Sequence, residues 1–195
     1  MYKIGPCAIS LFVILTLCPP VFADGPGIDA EGAGEKWVVV ESAYTTAYVR
    51  GGLDLDAVSA KIDVGFARYD PLERRLFLNK GLPDKERLAM KLDAITRKAK
   101  NILDMDPEDF HVKIKICESD RELEEAYKSI CGEHRSYKGF YVHKLRTVYV
   151  SFESMSESVI AHEIGHSIID SYFTILPPEK IRELLACYVD VHLKD

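Results

Sequence analysis

The sequence predicts an α+β domain, and three observations carry that prediction. Val112, Ile114 and Ile116 alternate with Lys113 and Lys115, the period of a strand with one buried face. Two further β-type runs, 139–143 and 147–151, are separated only by Lys144-Leu145-Arg146, as in a hairpin. From Pro83 onward, by contrast, Leu88, Leu92, Ile95, Ala99 and Ile102 recur every three or four residues between charged positions, the pattern of an amphipathic helix with its stripe in the core.

Taken from the N-terminus, residues 1–23 read as a secretory signal peptide. Lys3 precedes an apolar run from Cys7 to Cys18, and Val21-Phe22-Ala23 suits cleavage before Asp24. The run is short for a bilayer span and no other stretch approaches that length. The expectation is an exported protein, secreted or periplasmic, with no membrane span once the signal is removed. Lipid attachment at Cys18 is disfavoured, because Leu17 stands where that processing needs a small residue.

Residues 24–36, rich in Gly, Asp and Glu, read as a flexible lead-in, and 37–195 as a single domain. Trp37 to Val40 and Tyr44 to Val49 are β-branched and aromatic, which suggests a strand or a hairpin ended by Gly51-Gly52. The stretch from there to Gly81 is mixed and yields no assignment. After the Pro83 helix, Asp104-Met105-Asp106-Pro107-Glu108-Asp109 lacks the Gly-centred spacing of a calcium loop and reads as a solvated turn. Ser119-Asp120 supplies caps for a helix through Ile130. A helix from Ser156 to about Tyr172, capped by Ser156 or Ser158, is followed by Pro177-Pro178, which marks the start of a last helix to about Leu193.

Charge and cysteine content exclude some functions. The net charge of −6 becomes −7 when Lys3 leaves with the signal, and the charges are interspersed, so nucleic acid is not an expected partner. Of five cysteines, Cys117, Cys131 and Cys187 remain after residue 23, an odd number for a disulfide framework. Cys117 and Cys131 are placed either to bridge or to be buried thiols, and Cys187 is expected in the core.

The chemistry concentrates in His162-Glu163-Ile164-Gly165-His166. Residues four apart share a helix face, so His162 and His166 can aim two imidazoles at one metal ion, Zn2+ by the chemistry of the donors. Glu163 is displaced from that pair yet close enough to take a proton from water, the general-base position. Val159, Ile160, Ile164, Ile168 and Ile169 would bury the helix, and Gly165, which weakens a helix by about 1 kcal/mol relative to Ala, suggests a packing constraint. A catalytic zinc takes three protein ligands. The metzincin pattern is excluded, since Ile169 and Tyr172 stand where it needs Gly and His or Asp. Glu183, on the helix that the proline turn folds back, is the best third ligand.

This arrangement resembles the gluzincins, thermolysin-like and smaller relatives, over Ser156 to about Asp190. HEIGH matches the motif, and Glu183-Leu184-Leu185-Ala186-Cys187-Tyr188-Val189 looks like the ligand helix, with small Ala186 allowing close approach. The resemblance implies a zincin-like fold: a small mixed sheet with an edge hairpin, an active-site helix beneath it and a C-terminal ligand helix. It further implies a zinc metallopeptidase with His162, His166 and Glu183 as metal ligands and Glu163 as base, acting on a peptide or protein that pairs with the edge hairpin. The chain departs from thermolysin-like enzymes at Cys187, where they carry Asp; Asp190 is the alternative partner behind the ligands, and Asp170, four residues past His166, either orients an imidazole or is a plain C-terminal helix residue. Tyr188, His192, Tyr172 and His143 are all candidates to stabilise an oxyanion. The alternative function is a non-catalytic exported zinc module that binds a peptide or protein partner.

Overall fold

A computed structural model describes residues 37–62 and 81–193, within a compact unit spanning Glu31–Asp195. The expected signal peptide and lead-in lie outside the described residues. In chain order the elements are β1 (Trp37–Glu41), β2 (Thr45–Arg50), α1 (Leu55–Lys61), α2 (Asp84–Leu103), β3 (Val112–Cys117) and α3 (Asp120–Cys131). They continue with β4 (Gly139–Val142), a short 3-10 turn, β5 (Thr147–Ser151), α4 (Glu157–Tyr172) and α5 (Glu179–His192). The chain is therefore α+β, with five described helices and a five-stranded mixed sheet.

Local chemistry accounts for most helix starts. The side chains of Asp54, Ser119 and Ser156 accept from the backbone N–H groups of Asp56, Glu122 and Val159, satisfying donors that a helix leaves open at its first turn. Pro83 and Pro178 precede α2 and α5, holding an extended backbone there and forcing helix to begin one residue on. At the end of α3, Gly132 takes a left-handed φ of 77°, and its N–H closes on the Lys128 carbonyl at 2.8 Å.

The sheet order is β1-β2-β3-β5-β4. The three inner strands, β2, β3 and β5, run parallel, and each edge strand is antiparallel to its neighbour. One face, carrying Val49, Ile114, Ile116, Val148 and Val150, packs with Leu88, Leu92 and Ile95 of α2 and Ile160, Ile164 and Ile168 of α4. Full burial of each such side chain contributes on the order of 2 kcal/mol. The other face is covered by α3 through Leu123 and Tyr127, with Phe140 stacked on Tyr149 at 4.9 Å and 8°. The strands and helices expected at 37–50, 83–103, 112–131 and 139–193 are all present. The previously unassigned stretch contains α1, whose Val58 is buried, as is Ile62 just beyond it.

Candidate metal centre

α4 is buried along most of its circumference: Ile160, Ala161, Ile164, Ile168 and Ile169 are each fully enclosed. That enclosure places His162 and His166 on the one flank where α5 comes alongside. α5 approaches through small residues, with Ala186 and Val189 buried opposite Gly165. The packing constraint expected at Gly165 is looser than anticipated. A Cβ there would sit 3.4 Å from Val189 Cγ2 and 3.6 Å from Ala186 Cα, ordinary contact distances.

The structure brings His162, His166 and Glu183 together. The two imidazole Nε2 atoms are 3.2 Å apart, and Glu183 carboxylate oxygens lie 3.4 Å from His166 Nε2 and 3.7 Å from His162 Nε2. The two contacts end on different oxygens of the carboxylate, and one ligand atom from each of the three residues lies within 4.8 Å of the other two, against the roughly 3.3 Å that separates ligand atoms of tetrahedral zinc. Two neutral nitrogens and one carboxylate are also the donor set that borderline-soft zinc favours, and the residues present fit that ion.

The electrostatics agree. Burial depresses the pKa of His166 to about 3, assisted by repulsion from His162 and Arg182, and burial lowers His162 as well. Both rings are thus neutral at pH 7, the form that offers a lone pair. The charge of Asp190 and the Ala186 backbone partly offset the shift at His162. Glu183 is raised by burial and by Glu179, and Arg182 opposes that shift. Arg182 itself was not anticipated. Its Nε is buried with no hydrogen-bond partner among the described residues.

Glu163 is 7 % exposed and occupies the adjacent flank of α4 beneath β4. Burial, and then the charge of Glu183, push its pKa up to about 8, while the nearby Tyr141 backbone opposes the shift. β4 passes so close here that a Cβ on Gly139 would stand 3.0 Å from Val159 Cγ1 and 3.2 Å from Glu163 Cγ. Glycine is the residue that this approach accommodates. Neither Gly139 nor Tyr141 was singled out in the sequence, where both read simply as part of a strand.

Other residues take different roles from those expected. Asp190 accepts a hydrogen bond from Ser158 rather than holding an imidazole, and reaches His162 only through its charge. Asp170 accepts from the Tyr141 hydroxyl at 2.8 Å and pairs with His143 Nδ1, so it orients a histidine that is not a ligand. Cys187 is exposed, not in the core, because α5 turns that flank outward. Cys117 and Cys131 are thiols and no disulfide joins them. Of the oxyanion candidates, Tyr188 and His192 lie about 140° and 180° around α5 from Glu183, and Tyr172 about 120° around α4 from His166. Tyr188 and Tyr172 are 45 % and 49 % exposed, so these positions face away from the triangle. His143 is the candidate that stands beside β4.

No family model, curated protein or solved structure matches this chain. The functional reading therefore rests on the site itself.

Proposed function

We propose that the chain is a zincin-like, zinc-dependent peptidase that acts outside the cytoplasm, with His162, His166 and Glu183 as metal ligands and Glu163 as general base. The carrying observation is the convergence of His162, His166 and Glu183, one ligand atom of each within 4.8 Å of the others, with a buried carboxylate on the residue after His162 in the same helix. A structural histidine pair needs neither the carboxylate from a second helix nor the acid beside it.

His162, His166 and Glu183 would hold the zinc ion, which when bound would supply Lewis acidity for activating water and polarising a carbonyl. Glu163 accepts the proton that the attacking water gives up and returns it to the departing amine. β4 lies against the Glu163 side chain, with Gly139 the position of close approach. β4, as the sheet edge nearest α4, is the strand against which an extended peptide would lie, the substrate being a peptide or protein. With one carboxylate ligand the bound site keeps net positive charge, which favours an electron-rich carbonyl over a cationic group.

The test measures zinc content and cleavage of a mixed peptide library for the wild type and Glu163→Ala. Zinc retained with cleavage lost in the variant supports the reading. Zinc binding without cleavage by the wild type would instead favour a non-catalytic binding module, and absence of zinc from both proteins would remove either function.

A further inference from the structure

We propose that Asp170 is a positioning residue: by holding Tyr141 and His143 it fixes edge strand β4 over Glu163 and so sets the base in place. The inference rests on the peptidase reading for its catalytic consequence, though not for the clamp itself. Three observations carry it. Asp170 lies seven residues beyond Glu163, two turns along the same face of α4. Its carboxylate, on a side chain only 10 % exposed, spans two residues of the β4 end, accepting from Tyr141 Oη at 2.8 Å and pairing with His143 Nδ1. At the other end of the strand, Gly139 approaches Val159 and Glu163 to within contact distance, so β4 meets α4 at both ends.

The consequence for Glu163 runs through β4 itself. A Cβ on Gly139 would stand 3.2 Å from Glu163 Cγ, and two residues further on the Tyr141 side chain reaches Asp170. One short strand thereby connects the base to the acid two turns away. Burial and the neighbouring carboxylate both keep the Tyr141 hydroxyl protonated, so it remains a donor across the ordinary pH range. His143 forms the second arm, with a side chain 61 % exposed and Nδ1 committed to Asp170. Loss of either arm frees the end of a four-residue strand that pairs with one strand, β5.

The experiment compares wild type, Asp170→Ala, Asp170→Asn and Tyr141→Phe, each incubated with zinc. Zinc content, kcat and KM on the mixed peptide library, and NMR amide exchange at Gly139, Tyr141 and His143 are measured. Misplacing a base by a fraction of an ångström to one ångström costs up to about 100-fold, so Asp170→Ala is expected to lower kcat roughly 10- to 100-fold. KM and zinc content should stay within about twofold, and the Tyr141 amide should exchange about tenfold faster. Asp170→Asn, which retains an acceptor for the tyrosine, should recover most of the loss. Tyr141→Phe, lacking a single hydroxyl, should show a smaller effect of the same kind and decides the matter if Asp170→Ala fails to fold. Unchanged kcat in zinc-loaded Tyr141→Phe and Asp170→Ala, or unchanged amide exchange at Tyr141, overturns the proposal. If the wild type cleaves nothing, the peptidase reading fails, and the exchange measurement still decides the clamp.

Discussion

α4 and α5 both contribute to the ligand triangle, yet they are built in opposite ways. α4 is capped by Ser156, enclosed by isoleucines and packed against the sheet. α5 begins at Pro178 without a side-chain cap, buries only Ala186 and Val189 within its length, and leaves Leu184 64 % and Val191 67 % exposed. The contrast teaches how the site is assembled. The two histidines are set by the pitch of a rigid helix, whereas Glu183 arrives by the docking of a more weakly held one. The His–His geometry should therefore survive perturbations that displace the carboxylate.

The largest expected effect comes from breaking the rigid half. Zinc affinities correspond to roughly 12 kcal/mol, so deleting one of three ligands by His162→Ala or His166→Ala should weaken zinc binding about a thousandfold, measured by calorimetric titration. Glu183→Gln should also weaken zinc strongly; Asp190→Asn, which alters the Ser158 contact, should leave zinc affinity within about threefold by the same titration. A result in which only Asp190→Asn abolished zinc would reassign the third ligand.

Docking of α5 can be attacked without touching a ligand. Ala186→Leu forces extra volume into the contact with Gly165 and is expected to cost about 1–3 kcal/mol in urea unfolding, with weaker zinc binding as Glu183 moves away. Zinc should act in the reverse sense. At 100 times its Kd it stabilises the folded chain by about 2.7 kcal/mol, a rise in Tm of several degrees by scanning calorimetry. That rise should be largely absent in Glu183→Gln. The smallest effect expected is a gain: Gly165→Ala has room for its methyl and should stabilise the protein by up to about 1 kcal/mol in urea unfolding. A loss there would show that the two helices tolerate less separation than the contact distances indicate.

The same contrast separates what was legible in the sequence from what was not. His162 and His166 were readable because a four-residue spacing on a helix is a local fact, and Glu183 because Pro177-Pro178 announces the turn that returns α5. The strands at 112–117 and 139–151 were readable from alternation and from a three-residue gap. The sheet order was not, because pairing of β2 with β3 across more than sixty residues leaves no local mark. α1 was passed over although Asp54 caps it and Leu55, Val58 and Ile62 follow helical spacing; its seven residues are too few for a clear period. Cys187 was misplaced because apolar character was weighed without the rotation of α5, which sends the neighbouring Ala186 inward and the thiol outward. Asp170 reads in the sequence either as a partner for an imidazole or as a plain helix residue, and the ring it holds comes from the 3-10 turn after β4.

Every group assigned to the site, from Gly139 to Asp190, comes from the last third of the chain, and β4, β5, α4 and α5 follow one another without interruption. The ligands themselves span only His162 to Glu183. Closing such short loops costs little chain entropy, so these contacts can form early in folding, before the distant β1–β2 hairpin is recruited to β3. The proposed metal site would then be assembled before the rest of the sheet is completed.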